Sequence, residues 1–421
     1  MHLLRPFLGL ACLLAGLRAH AQPTTLTLAD ALRQAEARNP ALLAEGHIER
    51  AAEARIDQAG VSPASTLELN IENVAGTGRA QGVRGIEATL QASRTFERGK
   101  KRTQRIAFAR RDREVATAEF SVRRAEVIAL TAQAFTAVLA ARERLVLTED
   151  PVRHAQDVLA SVEGRVNAGD ASPAESARAR AVLAAARAEL ARAEADFTAA
   201  RAALAATWGG KVSEVGLVAG ALKVPANLPP TSTFLAALPQ HPQLVLQAAI
   251  IARQKAAVEL EQTRSTRDVT ASSGVRFLGE DSDAALVAGV SVPFSARNQN
   301  AGNLRAARAD LAGAEQRLHA IEAALRTAIT AAWQEAATAH QVAATLRADA
   351  LPASEEAHTI VRRAYEAGEL PLIDVLDAER ELTGLRRAIF DAEFACITAL
   401  VRTESLANPA LPYTTTLLSS P

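Results

Sequence analysis

The residue types that most often carry catalysis or bind metals are present in this sequence, but their spacing suits neither task. Cys396 is the single cysteine beyond the first 21 residues, and the histidines are scattered, so no Cys/His spacing fits a closed metal site. His319 and Glu322 would share a helix face, as surface pairs commonly do. The sequence has no phosphate-binding glycine loop, zinc-protease signature or serine nucleophile elbow. It therefore predicts no enzyme, no catalytic residue, no metal site and no cofactor.

The charge balance narrows the classes of partner. The 421 residues include 47 Lys and Arg, 47 Asp and Glu, and 4% aromatic residues. A nucleic-acid binder driven by net charge needs a surplus of basic residues, so that class is excluded. Two cysteines also exclude a disulfide scaffold. An alanine-rich chain with few aromatics buries little large side-chain volume per residue, which favours many closely packed helices over an ordinary enzyme core.

The N-terminus has the three parts of a secretory signal. Arg5 precedes an apolar run from Phe7 to Leu17, and Ala19-His20-Ala21 places small residues where a signal peptidase reads them. We expect residues 1–21 to be removed as a signal peptide. Cys12 lies in a poor lipobox, which disfavours a lipid anchor. No later segment has about 18 consecutive apolar residues, so we expect no membrane-spanning helix.

Long helices are predicted for most of the mature chain. Residues 100–150 contain neither Gly nor Pro, which at about 1.5 Å per residue allows a rod of roughly 75 Å. Similar runs cover 174–208 and 314–351. Within residues 174–208, large apolar residues lie seven positions apart, at Leu183, Leu190, Phe197 and Leu204. This heptad pattern predicts coiled coils, and a soluble coiled coil would satisfy it equally well.

The chain also contains an internal duplication with an offset of about 200 residues. Asn39-Pro40 recurs as His241-Pro242, and Val166-Asn167-Ala168-Gly169 recurs as Tyr365-Glu366-Ala367-Gly368. The expected organisation is a signal peptide (1–21), a first repeat (22–208), an equatorial linker (209–231), a second repeat (232–407) and a C-terminal tail (408–421).

Each repeat is expected to follow the order helix, β-hairpin, long helix, tip, helix. The first helices are predicted over 30–60 and 235–266, the hairpins over about 64–96 and 268–294, and the tips over about 166–173 and 365–371. Pro151 and Pro352 lie before the two tips, and each predicts a kink in its long helix.

The hairpin segments have a polarity that alternates with period two. Leu67-Glu68-Leu69-Asn70-Ile71-Glu72 is one example, and the residues from Ile86 to Ser93 are another. Strands of about 10 residues can cross a membrane at a tilt. The alternation would then place one set of polar side chains in a barrel lumen: Glu68, Glu72, Glu87 and Gln91. Hairpins exposed to water are the alternative.

Four membrane strands per chain cannot close a barrel. Open sheet edges are not tolerated in hydrocarbon, because their backbone polar groups would lack partners. Closure must therefore come from further copies of the chain. A dimer would supply about 8 strands and a trimer about 12, with a wider lumen.

The sequence from Tyr365 to Ala378, YEAGELPLIDVLDA, closely resembles the second-repeat helical tip of TolC-type outer membrane factors. With the duplicated order of elements, the resemblance covers nearly all of the mature chain. It implies a mixed α and β fold: a transmembrane β-barrel completed by homotrimerisation, continued by a long coiled-coil α-helical barrel through the periplasm. Such a duct docks to a periplasmic adaptor (membrane fusion) protein and an inner-membrane resistance-nodulation-division type pump in a Gram-negative cell.

The resemblance also implies roles for residues near the periplasmic entrance. Asp374 and Asp377 match two carboxylates that face the axis, where threefold symmetry would form a ring that favours cations. Tyr365 matches a tyrosine that holds the entrance closed, and Glu175 falls at the position of its acidic partner. Leu370 replaces a basic residue of the best-known members.

Two further features bear on partners and cargo. Gly169 and Gly368 would be the tips that contact the adaptor. The segment from Pro293 to Asn303 resembles the cobalt-zinc-cadmium efflux branch, although Asn300 and Ala301 are inserted in this chain. The expected cargo is therefore heavy-metal cations. A duct for organic compounds is the alternative, and a periplasmic adaptor or a coiled-coil scaffold is a further one.

Overall fold

The computed structural model describes residues 25–78, 85–279, 283–294 and 299–407. The expected signal peptide and C-terminal tail lie outside the described residues. So do parts of both hairpin turns and residues 295–298 of the segment that resembles the metal-efflux branch.

Long α-helices and short strands alternate along the chain. The helices are α1 (Leu28–Arg38), α2 (Pro40–Ala59), α3 (Lys101–Ala168), α4 (Pro173–Ala206), α5 (Thr231–Ala237), α6 (Pro242–Arg264), α7 (Ala301–Thr345), α8 (Leu351–Glu366) and α9 (Leu372–Ala407). The strands are β1 (Thr66–Glu72), β2 (Glu87–Phe96), β3 (Val269–Leu278) and β4 (Asp283–Ser291). The predicted fold class is confirmed, since long helices are joined to four antiparallel strands in two similar halves.

The first helical segment of each repeat is divided, where the sequence predicted one continuous helix. Asn39 ends α1 and caps α2, its Oδ1 accepting a hydrogen bond of 3.0 Å from the Leu42 amide. His241 likewise caps α6, because its Nδ1 accepts a hydrogen bond of 3.2 Å from the Gln243 amide. Both caps precede a proline, which disfavours helical geometry in the residue before it and suits the first helical position.

The two long central helices differ from each other. α3 runs for 68 residues across Pro151 without interruption. Its counterpart is divided into α7 and α8 by a π-helical segment, Leu346–Ala350, which ends two residues before Pro352. One stretch of α3 is apolar enough by length and composition to cross a membrane, and 44% of that stretch is buried within the chain.

The largest buried cluster of the described residues lies at the middle of α3, where the C-terminal parts of α4 and α9 pack against it. α3 contributes Phe135 and Leu139, α4 contributes Leu204, and α9 contributes Ile397. The predicted linker (209–231) packs against this cluster through Val215 and Val218. Its Leu217 carbonyl accepts a 2.7 Å hydrogen bond from the Leu26 amide, ahead of α1. The linker thus packs as part of the core.

The strands form one sheet in the order β1-β2-β3-β4, so the two hairpins pair with each other through β2 and β3. The register aligns Thr89 with Asn70 on one side and with Arg276 on the other. Because successive side chains point to opposite faces, this register determines which residues share a face.

Candidate functional site

One face of the sheet, here called the polar face, collects the four residues predicted to line a lumen. Glu68 pairs with Gln91 and Glu72 pairs with Glu87 across the β1–β2 ladder. Asp283 of β4 joins this face, because it pairs with Leu278, which in turn pairs with Glu87. The polar face therefore concentrates carboxylates.

Arg276 is a polar-face residue that sequence reasoning missed. Its Nε donates a 3.1 Å hydrogen bond to the Thr89 hydroxyl, and its guanidinium lies 3.5 Å from a Glu87 carboxylate oxygen. Among the described strand residues of the polar face, Arg276 is the one basic side chain. The alternation of side chains along β3 could have predicted that Arg276 lies on the polar face. Its contacts with Glu87 and Thr89 could not be predicted in this way, because those residues belong to β2 and are distant in sequence.

The opposite face, here called the apolar face, exposes large hydrophobic side chains. Leu67 is 73% exposed and Leu286 is 89% exposed. Others on this face include Leu69, Ile71, Leu90, Val275, Phe277 and Val290. A continuous apolar surface of this kind needs a cover, and lipid is the usual cover for a strand face of this length.

A dense set of polar contacts fixes the sheet to the helices. Asp268 accepts hydrogen bonds from the Lys101 ammonium at 2.8 Å and from the Arg98 amide at 3.0 Å. Burial raises the pKa of Asp268, but these two donors outweigh burial and hold that pKa below its usual range.

Arg105 makes a second link between the strands and helices. Its guanidinium is bidentate to Glu97, at 2.6 and 3.1 Å, and its Nε also donates to the Ala59 carbonyl at the end of α2. The hydrogen bond with Glu97 raises the pKa of Arg105 above its ordinary value. Arg105 thus joins the segment that follows β2 to both α2 and α3 through charge-assisted hydrogen bonds.

The two helical tips have the same backbone geometry. Gly169 and Gly368 have φ of 86° and 81°, in the left-handed region that favours glycine. In each tip the following amide donates back into the helix, Asp170 to the Arg165 carbonyl at 2.8 Å and Glu369 to the Ala364 carbonyl at 2.9 Å. The glycines are required here by backbone conformation, since a Cβ would meet no neighbouring atom.

The acidic residues predicted at the entrance lie at the start of α9. Asp374 is half-buried in the first turn, and its amide donates to the Pro371 carbonyl at 3.1 Å. Asp377 lies three residues later, is exposed, and forms a 2.8 Å ion pair with Arg380. The spacing of three residues places both carboxylates on neighbouring positions of one helix face.

Tyr365 and Glu175 are not hydrogen-bonded to each other within one chain. The Tyr365 ring packs against Val162, Leu372 and Leu376, with the Arg165 guanidinium 5.2 Å from its centroid. Its hydroxyl is buried and, among the described residues, has no hydrogen-bond partner. Glu175 instead belongs to a capping box with Ser172 at the start of α4. Leu370 is half-buried between the tip and α9.

The parts of the chain that the structure describes contain no group of three or more His, Cys, Asp or Glu side chains placed to hold a metal ion. Cys396 is fully buried, and burial together with Glu393 raises the pKa of its thiol to about 11.

Residues 31–210 match the family described as outer membrane efflux protein. The cobalt-zinc-cadmium resistance protein CzcC of Cupriavidus metallidurans is 31% identical over 85% of this chain and 84% of its own length. The nickel and cobalt resistance protein CnrC of the same organism is 31% identical over 73% of each chain. The fold is similar to that of CusC, with a TM-score of 0.73 and 16% identity over 90% of this chain and 92% of CusC.

Proposed function

This chain belongs to the outer membrane efflux protein family, and from that membership we propose that it carries heavy-metal cations as the exit duct of a tripartite pump. It is an outer membrane channel with a periplasmic extension, and not an enzyme. The observation that carries the proposed cargo is the 31% identity to CzcC over 85% of the chain. The carboxylates of the polar face agree with a cationic cargo.

Channels of the TolC family are homotrimers, and the sheet supports the same assembly for this chain. Its described strands end at two edges, β1 and β4, which further copies could pair. Three copies would give about 12 strands, with the polar face inside and the apolar face toward lipid. The proposed partners are a periplasmic adaptor and an inner-membrane resistance-nodulation-division type pump.

Asp374 and Asp377 are proposed as the constriction, where three copies would set a ring of carboxylates around the axis. Such a ring attracts cations through its field. Tyr365 and Glu175 are proposed as gate residues that act between neighbouring chains, because the Tyr365 hydroxyl has no hydrogen-bond partner among the described residues of its own chain. Gly169 and Gly368 are proposed as the adaptor-contacting tips.

The proposed cargo is tested by complementation of a strain that lacks the gene. We expect the wild-type chain to restore growth in Co²⁺, Zn²⁺ or Cd²⁺, without changing tolerance to dyes and detergents. Restoration of tolerance to organic compounds alone would reject the metal cargo and favour the alternative.

The proposed constriction is tested with purified protein in planar bilayers. Asp374→Asn combined with Asp377→Asn should reduce the permeability ratio of K⁺ to Cl⁻ by about half or more at low salt, because the ring loses its charge. Asp196→Asn combined with Asp310→Asn removes the same charge from exposed positions of α4 and α7 and should leave the ratio unchanged. Equal ratios in both double variants would remove Asp374 and Asp377 from the constriction.

A further inference from the structure

The two helical tips are in contact through one arginine and one tyrosine. The Arg165 guanidinium, near the end of α3, lies 5.2 Å from the centroid of the Tyr365 ring, near the end of α8. Both side chains are half-buried. We call this contact the tip clasp.

Each residue of the tip clasp also anchors the turn of its own tip. The Arg165 carbonyl accepts a hydrogen bond of 2.8 Å from the Asp170 amide, and the Arg165 Nη2 donates to the Asp170 carbonyl at 3.3 Å. The Tyr365 carbonyl accepts a hydrogen bond of 2.9 Å from the Gly368 amide. The tip clasp therefore connects the turn of the first tip directly to the turn of the second.

A small apolar cluster supports the tyrosine. Val162 of α3 is buried together with Leu372 and Leu376 of α9, and Tyr365 packs against them. Packing on this cluster restricts rotation of the ring, so its face stays directed at Arg165. The attraction between a cation and a ring face is stronger at a half-buried site than in full contact with water.

The ring is the contact through which Arg165 reaches the second repeat. Among the described residues, the Arg165 guanidinium contacts this ring and the Asp170 carbonyl and forms no ion pair. Arg362 of α8 differs, because it pairs with Glu366 at 3.1 Å. Loss of the ring would therefore leave Arg165 without a carboxylate that could hold it to the second tip.

The two repeats contribute unlike residues to the tip clasp. In the alignment of the repeats, Tyr365 corresponds to Val166 and Arg165 corresponds to Ala364. The cation comes from the first repeat and the ring from the second. The contact thus couples the repeats to each other and is not duplicated within either of them.

We propose that Arg165 is a positioning residue of the periplasmic entrance. Through the tip clasp it holds the second tip against the first, and with it the start of α9 that carries Asp374 and Asp377. The carboxylate ring then widens only when the tip clasp opens. This inference rests on the proposed duct and its constriction, and it assigns a role to the ring face of Tyr365, whereas the gate proposed above uses the hydroxyl.

The test measures the mean conductance of the purified full-length protein in planar bilayers. Arg165→Gln should raise the mean conductance about threefold, both in the wild type and in Tyr365→Phe, whose ring can still face a cation. In Tyr365→Leu, which has no ring, Arg165→Gln should add nothing, because the contact is already lost. This comparison does not depend on the tyrosine hydroxyl, since Tyr365→Phe lacks it.

Conservative variants separate the contact from general damage to the fold. Arg165→Lys keeps a cation near the ring and should conduct at a level between the wild type and Arg165→Gln. Arg165→Met keeps the aliphatic stem without the charge, and it replaces Arg165→Gln in the comparison if the glutamine variant yields less heat-modifiable trimer than the wild type.

Arg363→Gln is the matched control, because it removes the same charge from an exposed position of α8, two residues before Tyr365. It should leave the mean conductance unchanged. The tip clasp would be overturned by an equal rise in Arg363→Gln, or by a rise of the same size in Tyr365→Leu as in the wild type.

The same recordings separate the tip clasp from the duct. A wild-type trimer that conducts, together with Arg165→Gln and Arg165→Met variants that conduct equally, would reject the tip clasp and leave the duct intact. A wild-type chain that neither forms a trimer nor conducts would reject the duct and the tip clasp together.

Discussion

At the scale of single residues, Arg276 changes how the polar face is interpreted. The carboxylates that the sequence predicts for a lumen are present together, but Glu87 has a guanidinium 3.5 Å away. Thr89, which is only 7% exposed, fixes that guanidinium with a hydrogen bond of 3.1 Å. A fixed positive charge beside the carboxylates weakens their combined field.

We therefore expect Arg276→Gln to increase cation selectivity. The permeability ratio of K⁺ to Cl⁻ in planar bilayers should rise about twofold at 0.01 M salt, where the Debye length is about 30 Å, and less at 1 M. Arg94→Gln removes the same charge from the apolar face and should leave the ratio unchanged. If Arg94→Gln raises the permeability ratio and Arg276→Gln does not, then the apolar face lines the lumen and the assignment of the two faces is wrong.

At the scale of elements, the two repeats use one helix-capping device with different side chains. Asn39 and His241 each cap the helix that follows, and each precedes a proline. The amide of Asn39 keeps its acceptor at every pH, whereas the Nδ1 of His241 accepts only while the imidazole is neutral. His241 is 7% exposed, and burial lowers its pKa.

His241 therefore predicts a pH dependence of stability. The pKa of His241 is lower in the folded chain than the value of about 6.5 in the unfolded chain. The contribution of His241 to the stability of the fold is therefore complete above the unfolded pKa and is lost as pH falls through the folded pKa. Protonation removes the cap, at a cost of about 1 kcal/mol. Thermal unfolding at pH 8 and pH 5 should show a smaller loss of stability in His241→Asn than in the wild type.

The control for this prediction is the first repeat. Asn39→His introduces a titratable cap at the equivalent position and should increase the loss of stability between pH 8 and pH 5. Identical pH profiles for the wild type and His241→Asn would show that the cap does not titrate over this range.

The long helices show how far local patterns determine an element. The absence of Gly and Pro predicted long helices, and α3 has 68 residues. The two prolines look equivalent in sequence, yet only Pro352 follows a π-helical segment. Every proline in a helix lacks the backbone N–H donor, and this follows from the sequence alone. Packing against neighbouring helices decides whether the helix continues unchanged or forms a π-helical turn.

At the scale of the whole molecule, the sheet is amphipathic across all four strands. Leu286 lies in the apolar row that β4 shares with Val275, Leu90 and Leu69, whereas its neighbour Val287 points to the polar face. These two adjacent residues therefore test which face meets lipid.

Leu286→Arg should impair insertion and reduce the amount of heat-modifiable trimer in the outer membrane. An arginine on the lipid-facing side of a strand near the bilayer centre is expected to destabilise the barrel by about 2–4 kcal/mol for each copy of the chain. Val287→Arg adds the same group on the other face and should assemble normally, as followed by gel mobility with and without heating. Equal loss in both variants would argue against a barrel with a polar interior.

Sequence patterns alone were enough to predict the repeats, the long helices, the four strands and the alternation of polar and apolar residues. These features depend on periods of 2, 3.5 or 3.6 residues, which local sequence records directly. The folded chain was needed to show that β2 pairs with β3, that Arg276 lies beside Glu87, and that Tyr365 and Glu175 are not hydrogen-bonded within one chain. Those outcomes depend on strand register and helix packing between segments far apart in the chain, and no local period specifies them.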